Sequence, residues 1–250
     1  MKKVLIATFS TLFAFNVCAD TTAETNVEAE VAAEDSAALD GFYLGGGFGL
    51  WDGGVRTETT AAPNASEIGV DTNDHATELM LSLVAGWGKT FNQKFYFGIE
   101  GGADFSRNNN FHHEGIVNSG TNKSFCVSSR INGIIPMIAL RFGYSACNTI
   151  TYLKAGAFWT KAKAQYVDFD ANNVPFSGEG SVSKLTPFVA LGWEKVINSC
   201  WRGRTEFEYR IRTHKNFKYT RGDGECAVKV ENKDAFAFRA YVVRSFSFGR

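Results

Sequence analysis

The sequence predicts an all-β chain that forms an eight-stranded antiparallel transmembrane β-barrel. Segments of 8 to 12 residues alternate apolar side chains with polar side chains or glycines, which is the pattern of a half-buried strand. Charges of both signs share the polar faces, and the gaps between segments alternate long and short. Short alternating segments with this spacing are typical of barrels that cross a membrane with strands.

The chain opens with two lysines, an apolar run over 4–15 and Cys18-Ala19, which predicts a signal peptide over 1–19. The run is too short to span a bilayer. Residues 20–40 carry seven acids and no bases, so we expect a disordered acidic linker. The whole chain has a formal charge of zero, so removing two lysines and then seven acids leaves +5 on the barrel domain, 41–250.

Each predicted strand has one apolar face. In order, these faces carry Phe42, Leu44, Phe48 and Leu50; Leu79, Leu81, Leu83, Ala85 and Trp87; Phe95, Phe97, Ile99, Ala103 and Phe105; Ile134, Ile138, Leu140, Phe142 and Tyr144; Leu153, Ala155, Ala157 and Trp159; Leu185, Val189, Leu191 and Trp193; Phe207, Tyr209 and Ile211; and Phe236, Phe238, Ala240, Val242, Phe246 and Phe248. A lipid-facing wall needs such faces on every strand.

The gaps between the strands set the predicted orientation. Long gaps at 52–76, 107–127, 165–182 and 213–232 alternate with short gaps at 89–94, 145–149 and 197–200. Outer-membrane barrels place short turns in the periplasm and long loops outside the cell. We therefore expect an integral outer-membrane protein with both termini in the periplasm.

The opposite faces of the strands carry a set of charges that we expect to fill the lumen as a network of ion pairs. The set is Glu100, Asp104, Arg141, Lys154, Glu194, Arg202, Arg204, Glu206, Glu208, Arg210 and Arg239. An eight-stranded barrel is just wide enough for side chains to fill, and unpaired buried charges are prohibitively costly. A filled lumen makes a channel the weaker interpretation.

Aromatic residues cluster at strand ends, where amphipathic rings favour the membrane–water boundary. The predicted girdle contains Phe42, Trp87, Phe95, Tyr144, Trp159, Trp193, Trp201, Phe246 and Phe248. Three residues fit the strands less well. Arg244 falls on the lipid face by parity, and Pro136 and Pro187 are expected near the outer ends of their strands, where a lost hydrogen bond costs least.

Four cysteines remain once Cys18 leaves with the signal peptide. Export favours disulfides, and the topology separates two cysteines in short turns from two in long loops. The membrane band of about 25 Å between the two sets exceeds disulfide reach. The predicted pairs are Cys147–Cys200 and Cys126–Cys226.

The sequence offers little catalytic chemistry. His75, His112, His113 and His214 all fall in predicted outer loops, and none has the spacing of a metal site. No nucleophile, zinc or phosphate-binding motif is present, and no basic stripe interleaved with aromatics points to nucleic acid. We expect no catalytic residue, cofactor or metal ion.

The stretch Gly41-Phe-Tyr-Leu-Gly-Gly-Gly-Phe-Gly49 resembles the opening strand of eight-stranded outer-membrane barrels. These are the opacity-type surface proteins, the major outer-membrane proteins of alphaproteobacteria and the membrane domain of OmpA. Residues 186–194, 152–156 and the Phe-x-Phe ending are similar to later strands of the family. Val243, where the assembly signal usually has glycine, and the final Gly249-Arg250 depart from it. We expect no peptidoglycan-binding domain after the barrel.

The resemblance implies a non-enzymatic surface antigen or adhesin that binds an extracellular or host ligand through its long loops. A purely structural envelope protein, a small porin-like channel and a lipid A-modifying barrel enzyme remain as alternatives. In each case the expected surroundings are outer-membrane lipid, and the expected state is a monomer.

Overall fold

The computed structural model describes residues 40–60, 71–106, 110–118, 122–131, 133–146, 148–169, 175–198, 200–221 and 224–246. In these residues the strands are β1 (Gly41–Thr60), β2 (Asp71–Phe91), β3 (Phe95–Ser106), β4 (Asn110–Asn118), β5 (Asn122–Ile131), β6 (Ile134–Ala146), β7 (Thr149–Phe169), β8 (Pro175–Val196), β9 (Trp201–Arg210), β10 (Thr213–Arg221), β11 (Gly224–Asn232) and β12 (Ala235–Phe246). Across these ranges, no helix is long and apolar enough to cross a membrane.

Eight strands form a closed antiparallel wall in the order β1, β2, β3, β6, β7, β8, β9 and β12. The last strand returns to the first, and β12 pairs with β1 from Phe42↔Phe246 to Asp52↔Phe236. Closure removes the unpaired edges that an open sheet would expose. The predicted eight-stranded antiparallel barrel is therefore confirmed.

Successive side chains of each wall strand point alternately into the barrel and out of it, as the pleat requires. β12 shows the pattern, with Ala235, Ala237, Arg239, Tyr241, Val243 and Ser245 buried and Phe236, Phe238, Val242 and Phe246 exposed. β6 repeats it over its whole length. The barrel thus buries charge and exposes apolar side chains, which is the reverse of a water-soluble protein.

The four connections predicted as long loops contain much more strand than expected. β1 and β2 stay paired as far as Glu58↔Asp71, and β7 and β8 as far as Phe169↔Pro175. The other two connections contain the hairpins β4–β5 and β10–β11, which continue the wall beside β7 and β1. These strands were not predicted because they lack the alternating pattern. A strand that does not border lipid or an apolar core needs no apolar face.

We call the end of the barrel that carries these additions the extension end, and the opposite end the turn end. At the turn end, Asn92 and Gln93 have φ angles of 49° and 58°, and the Lys94 amide donates to the Phe91 carbonyl at 3.1 Å. Positive φ at both central residues is typical of a two-residue hairpin turn that follows the strand twist. The predicted short turns all lie at this end.

The residues that fitted the sequence pattern poorly have distinct positions. Arg244 is exposed on the outer surface, and its guanidinium lies 5.7 Å from the Trp201 ring and 5.4 Å from the Phe246 ring. Pro136 is near the start of β6, as expected. Pro187 is not at the end of its strand, because β8 continues to Pro175. It lies where β9 ends, so the neighbouring ladder stops there.

The predicted signal peptide and residues 20–39 of the acidic linker lie outside the described residues, as does Phe248. Asp40 is described, and its Oδ1 accepts a hydrogen bond from the Thr90 amide at 2.6 Å. This contact fastens the start of β1 to the end of β2.

Candidate functional site

The lumen contains all eleven charged residues that the strand pattern placed on the inner faces. Each is buried: Glu100, Asp104, Arg141, Lys154, Glu194, Arg202, Arg204, Glu206, Glu208, Arg210 and Arg239. They divide into two groups of ion pairs, one nearer each end of the barrel. The wall strands hold them in place, because each follows the inward parity of its strand.

Nearer the extension end, four of these residues close a ring. The Arg210 guanidinium contacts Asp104 at 2.7 Å and Glu208 at 2.7 Å, and Arg239 contacts the same carboxylates at 2.8 Å and 2.7 Å. The Ser82 hydroxyl also donates to Asp104 at 2.7 Å. Two cations and two carboxylates leave the ring neutral, which is the balance that buried charges need.

The other seven residues form a network nearer the turn end: Glu100, Glu194 and Glu206 with Arg141, Lys154, Arg202 and Arg204. We call it the seven-residue network. Glu100 is in contact with three cations, Lys154 at 2.6 Å, Arg204 at 2.5 Å and Arg141 at 3.7 Å. It therefore joins cations from three different strands.

Glu194 is the second centre of this network. It contacts Arg141 at 2.6 Å, Arg202 at 2.6 Å and Arg204 at 2.8 Å. Glu206 completes it with Lys154 at 3.0 Å. Each carboxylate is thus shared between cations, so removing one carboxylate disturbs several partners at once.

Three tyrosines that the sequence pattern did not assign to the charge network surround Arg141. Its guanidinium lies 3.9 Å from the Tyr152 ring centroid, 5.2 Å from that of Tyr96 and 5.6 Å from that of Tyr43. The Tyr152 hydroxyl donates to Glu206 at 2.5 Å. Cation–π contacts stabilise a guanidinium that has left water, so these rings supply part of what hydration would give.

Each tyrosine is accommodated by a glycine on the neighbouring strand. A Cβ added at Gly86 would overlap the Tyr43 ring, one at Gly88 the Tyr96 ring, and one at Gly192 the Tyr152 ring. A ring lying over an inward glycine covers the gap that the missing side chain leaves. The inward glycines were evident from sequence, but the ring that covers each was not.

Apolar side chains complete the lumen between the charged groups. The Phe158 and Phe188 rings pack at 4.6 Å, and the Arg210 guanidinium lies 3.9 Å from the Phe158 ring. Ile135 and Met137 are buried in the same cluster. Among the described residues, the inward side chains therefore pack on one another across the barrel, and every buried carboxylate is held in an ion pair.

The predicted girdle residues lie on the outer surface where they are described. Phe42, Phe95, Tyr144, Trp159, Trp193, Trp201 and Phe246 are exposed, and Trp87 is half-buried. Trp159 lies towards the extension end, and the others lie towards the turn end. A belt of aromatic residues therefore borders the apolar surface at the turn end, and Trp159 lies nearer the opposite border.

The cysteine pairs stay predictions, because Cys147 and the side chains of Cys126 and Cys226 lie outside the described part of the chain. Cys200 is exposed at the turn end. By backbone position, Cys126 belongs to β5 beside β7, and Cys226 to β11 of the β10–β11 hairpin. The two strands extend different parts of the wall.

The four histidines lie in strands rather than irregular loops. His75 is in β2, His112 and His113 are in β4, and His214 is in β10. Their side chains are outside the described residues. The described part of the chain contains no group of His, Cys, Asp and Glu that could hold a metal ion.

These features define a class: a closed eight-stranded barrel with ion pairs inside and an apolar outer surface bordered by aromatic residues. No protein-family model matches the sequence, and no curated protein matches it. The fold class rests on the strand pairing of the chain itself.

Solved structures to which the chain is similar include the outer membrane protease OmpT of Escherichia coli, at 10% identity over 83% of this chain and 97% of that chain, with a TM-score of 0.49. The outer membrane protein OprG of Pseudomonas aeruginosa has 15% identity over 84% and 97%, with a TM-score of 0.47. The attachment invasion locus protein Ail of Yersinia pestis has 14% identity over 79% and 98%, with a TM-score of 0.29. All three likenesses have TM-scores below 0.5, and they assign no activity to this chain.

Proposed function

We propose that this protein is a non-enzymatic surface barrel of the bacterial outer membrane, anchored by lipid and exposing its strand extensions outside the cell. The observation that carries the proposal is the inverted polarity of the wall. Leu79, Leu81 and Leu83 are 62%, 59% and 55% exposed on β2, whereas Glu100 and Arg141 are 0% exposed inside. Such an exterior is favourable in lipid and would aggregate in water.

The height of the apolar surface fits a bilayer. On β2 the outward apolar residues run from Leu79 to Trp87. Nine strand residues at ~3.4 Å each, tilted by about 40°, rise roughly 23 Å, close to the band of about 25 Å in outer-membrane barrels. Trp87 lies at one border of this band. Lys89 follows it on the same face and is exposed, where its charge can reach the headgroups.

An arginine at Leu83 tests the membrane placement. Leu83 lies midway along the apolar face of β2, so Leu83→Arg should destabilise the barrel in lipid vesicles by about 2–4 kcal/mol. Urea unfolding of protein refolded into vesicles measures the change. The matched control is Thr77→Arg, on the same face of β2 above the apolar band, where the same charge should cost less than 1 kcal/mol. Equal effects at both positions would contradict a lipid-facing band.

The proposed orientation places the extension end outside the cell. Long connections at one end and short turns at the other are the arrangement of outer-membrane barrels. The extracellular surface would then be formed by the hairpins β4–β5 and β10–β11 and by the paired ends of β1–β2 and β7–β8. We infer that this surface binds an extracellular ligand, in keeping with the adhesin resemblance of the opening strand.

Removal of one hairpin separates an adhesin from a purely structural protein. The Ser106 amide donates to the Gly133 carbonyl at 3.1 Å, so a short turn can join β3 to β6 and delete 107–132 without opening the wall. We expect the truncated barrel to fold as before, but cells displaying it to lose attachment to host cells or matrix proteins. Unchanged attachment, or no attachment by the intact protein, would favour the structural role.

A conducting channel and an enzyme are less compatible with this site. The lumen carboxylates are paired with cations, and the Phe158–Phe188 pair lies among them, which leaves little room for ions to pass through so narrow a barrel. Planar bilayer recordings should show no steady conductance. Changing His75, His112, His113 and His214 to alanine should cause no loss of any lipid A modification that cells with the native protein carry.

A further inference from the structure

The seven-residue network has one more cation than it has carboxylates. Four cations, Arg141, Lys154, Arg202 and Arg204, meet three carboxylates, Glu100, Glu194 and Glu206, and each is at most 2% exposed. The ring nearer the extension end is neutral and so does not balance the excess. A buried charge without a counter-charge costs several kcal/mol, so the imbalance calls for an anionic partner.

The hydrogen-bond donors locate the excess at Arg202. Within the described part of the chain its Nε, Nη1 and Nη2 atoms make no hydrogen bond, although the residue is only 1% exposed. Its contact with Glu194, at 2.6 Å, is an ion pair without hydrogen-bond geometry. A buried guanidinium with all its nitrogens in this state is rare, because unpaired buried donors are costly.

The unpaired atoms of the network are mainly donors. Nε of Arg141 and Nη2 of Arg204 also lack hydrogen bonds. Two carboxylate oxygens lack them too, Oε1 of Glu100 and Oε1 of Glu194, but each lies 2.6 Å from a cationic nitrogen. The contact that compensates Oε1 of Glu194 also engages Nη1 of Arg202. The donors left without a partner among the described residues are therefore Nε and Nη2 of Arg202, Nε of Arg141 and Nη2 of Arg204, so a ligand that completes the network must accept hydrogen bonds.

The position of Arg202 allows entry from the turn end. It is the second residue of β9 and lies opposite Val243 of β12 and Val196 of β8. Ser245 is the next inward residue of β12 towards the turn end, and its hydroxyl also has no hydrogen-bond partner among the residues that the structure describes. Arg202 and Ser245 are diagonal neighbours, and such residues lie about 7–8 Å apart. An ion bound between their side chains could contact both.

We propose that Arg202 binds one small monovalent inorganic anion of the halide class, chloride or bromide, at the turn end of the lumen. A charge of −1 brings the seven-residue network to neutrality. The burial of Arg202 excludes large or polymeric anions. A water molecule would accept hydrogen bonds from the same nitrogens but would leave the excess charge uncompensated. This inference concerns the lumen and does not depend on the proposed surface role.

The test uses the full barrel refolded in detergent micelles, with chloride replaced by gluconate at constant ionic strength. A ligand that binds only the folded state raises the unfolding midpoint with its concentration. We expect the urea midpoint of the native protein to rise with chloride and with bromide. The dependence should disappear in Arg202→Gln, whose network holds three cations and three carboxylates, and should persist in the control Arg244→Gln, which removes a surface arginine.

Three results would overturn the proposal: a native midpoint that does not depend on the halide, a chloride dependence that survives in Arg202→Gln, or bromide-soaked crystals without an anomalous peak beside the Arg202 guanidinium. If Arg202 were only a partner of Glu194, Arg202→Gln would lower the midpoint equally in chloride and in gluconate. Should Arg202→Gln fail to fold, Arg202→Lys keeps the charge with fewer donors, and its chloride dependence should be weaker than in the native protein.

Discussion

Replacement of Glu100 by glutamine is expected to destabilise the barrel more than any other single isosteric change in the lumen. Glu100 contacts Lys154, Arg204 and Arg141 and is 0% exposed. Glutamine keeps the shape but leaves four cations facing two carboxylates. Breaking one buried pair in this way costs about 3–5 kcal/mol, a large part of the 5–15 kcal/mol that typically holds a domain together.

Two measurements check this prediction: the folded fraction by heat-dependent mobility on gels, and the free energy of unfolding in urea. The control is Glu78→Gln, the same change at a half-buried carboxylate that accepts a hydrogen bond from Ser106; it should cost about 1 kcal/mol. Adding Lys154→Met to Glu100→Gln removes one excess cation, so the double variant should be more stable than additivity predicts. If Glu100→Gln lowered the free energy of unfolding no more than Glu78→Gln does, the network would be hydrated or differently paired.

Alanine at Gly192 should have an effect of comparable size. A Cβ there would overlap the Tyr152 ring, which cannot move freely because its hydroxyl donates to Glu206 and its face lies against Arg141. Overpacking costs about 1–3 kcal/mol, and displacement of the ring would add the loss of a hydrogen bond to a charged group, about 1.5–3 kcal/mol. We expect the free energy of unfolding in urea to fall by about 2.5–6 kcal/mol, the sum of these two costs.

Gly46→Ala is the matched control, because Gly46 lies on the outer surface and an added Cβ would meet only Leu83 Cδ2, at 3.6 Å. It should leave stability unchanged or raise it slightly, since alanine restricts the unfolded chain. Tyr152→Phe measures the hydroxyl contribution separately. Equal effects of Gly192→Ala and Gly46→Ala would mean that the ring over Gly192 has no structural role.

The wall strands could be predicted from the sequence because successive residues of a barrel strand face opposite sides, and the two sides differ in polarity. Glu206, Glu208 and Arg210 alternate with Phe207 and Tyr209, and only one assignment of faces buries the charges together. The partners were not predictable. Glu100 and Arg204 are 104 residues apart, and the register that joins their strands is set by three-dimensional closure rather than by local pattern.

Two other features were beyond sequence reasoning. The extensions of β7 and β8 have no alternating apolar face, so residues 165–169 and 175–182 were predicted as loop although their backbones are paired. The tyrosine–glycine contacts depend on which residues of neighbouring strands face one another, as in Tyr152↔Gly192. The excess cation at Arg202 depends on which cations each carboxylate contacts, and these contacts join residues far apart in the sequence.

Protease shaving of intact cells, with the released peptides identified by mass spectrometry, tests the central claim most directly. We expect peptides only from 52–76, 107–127, 165–182 and 213–232, and we expect the turn that includes Lys94 to stay uncut until the outer membrane is opened. Cleavage at Lys89 or Lys94 on intact cells would contradict the orientation. Cleavage within the apolar face of β2, between Leu79 and Trp87, would contradict the membrane barrel itself.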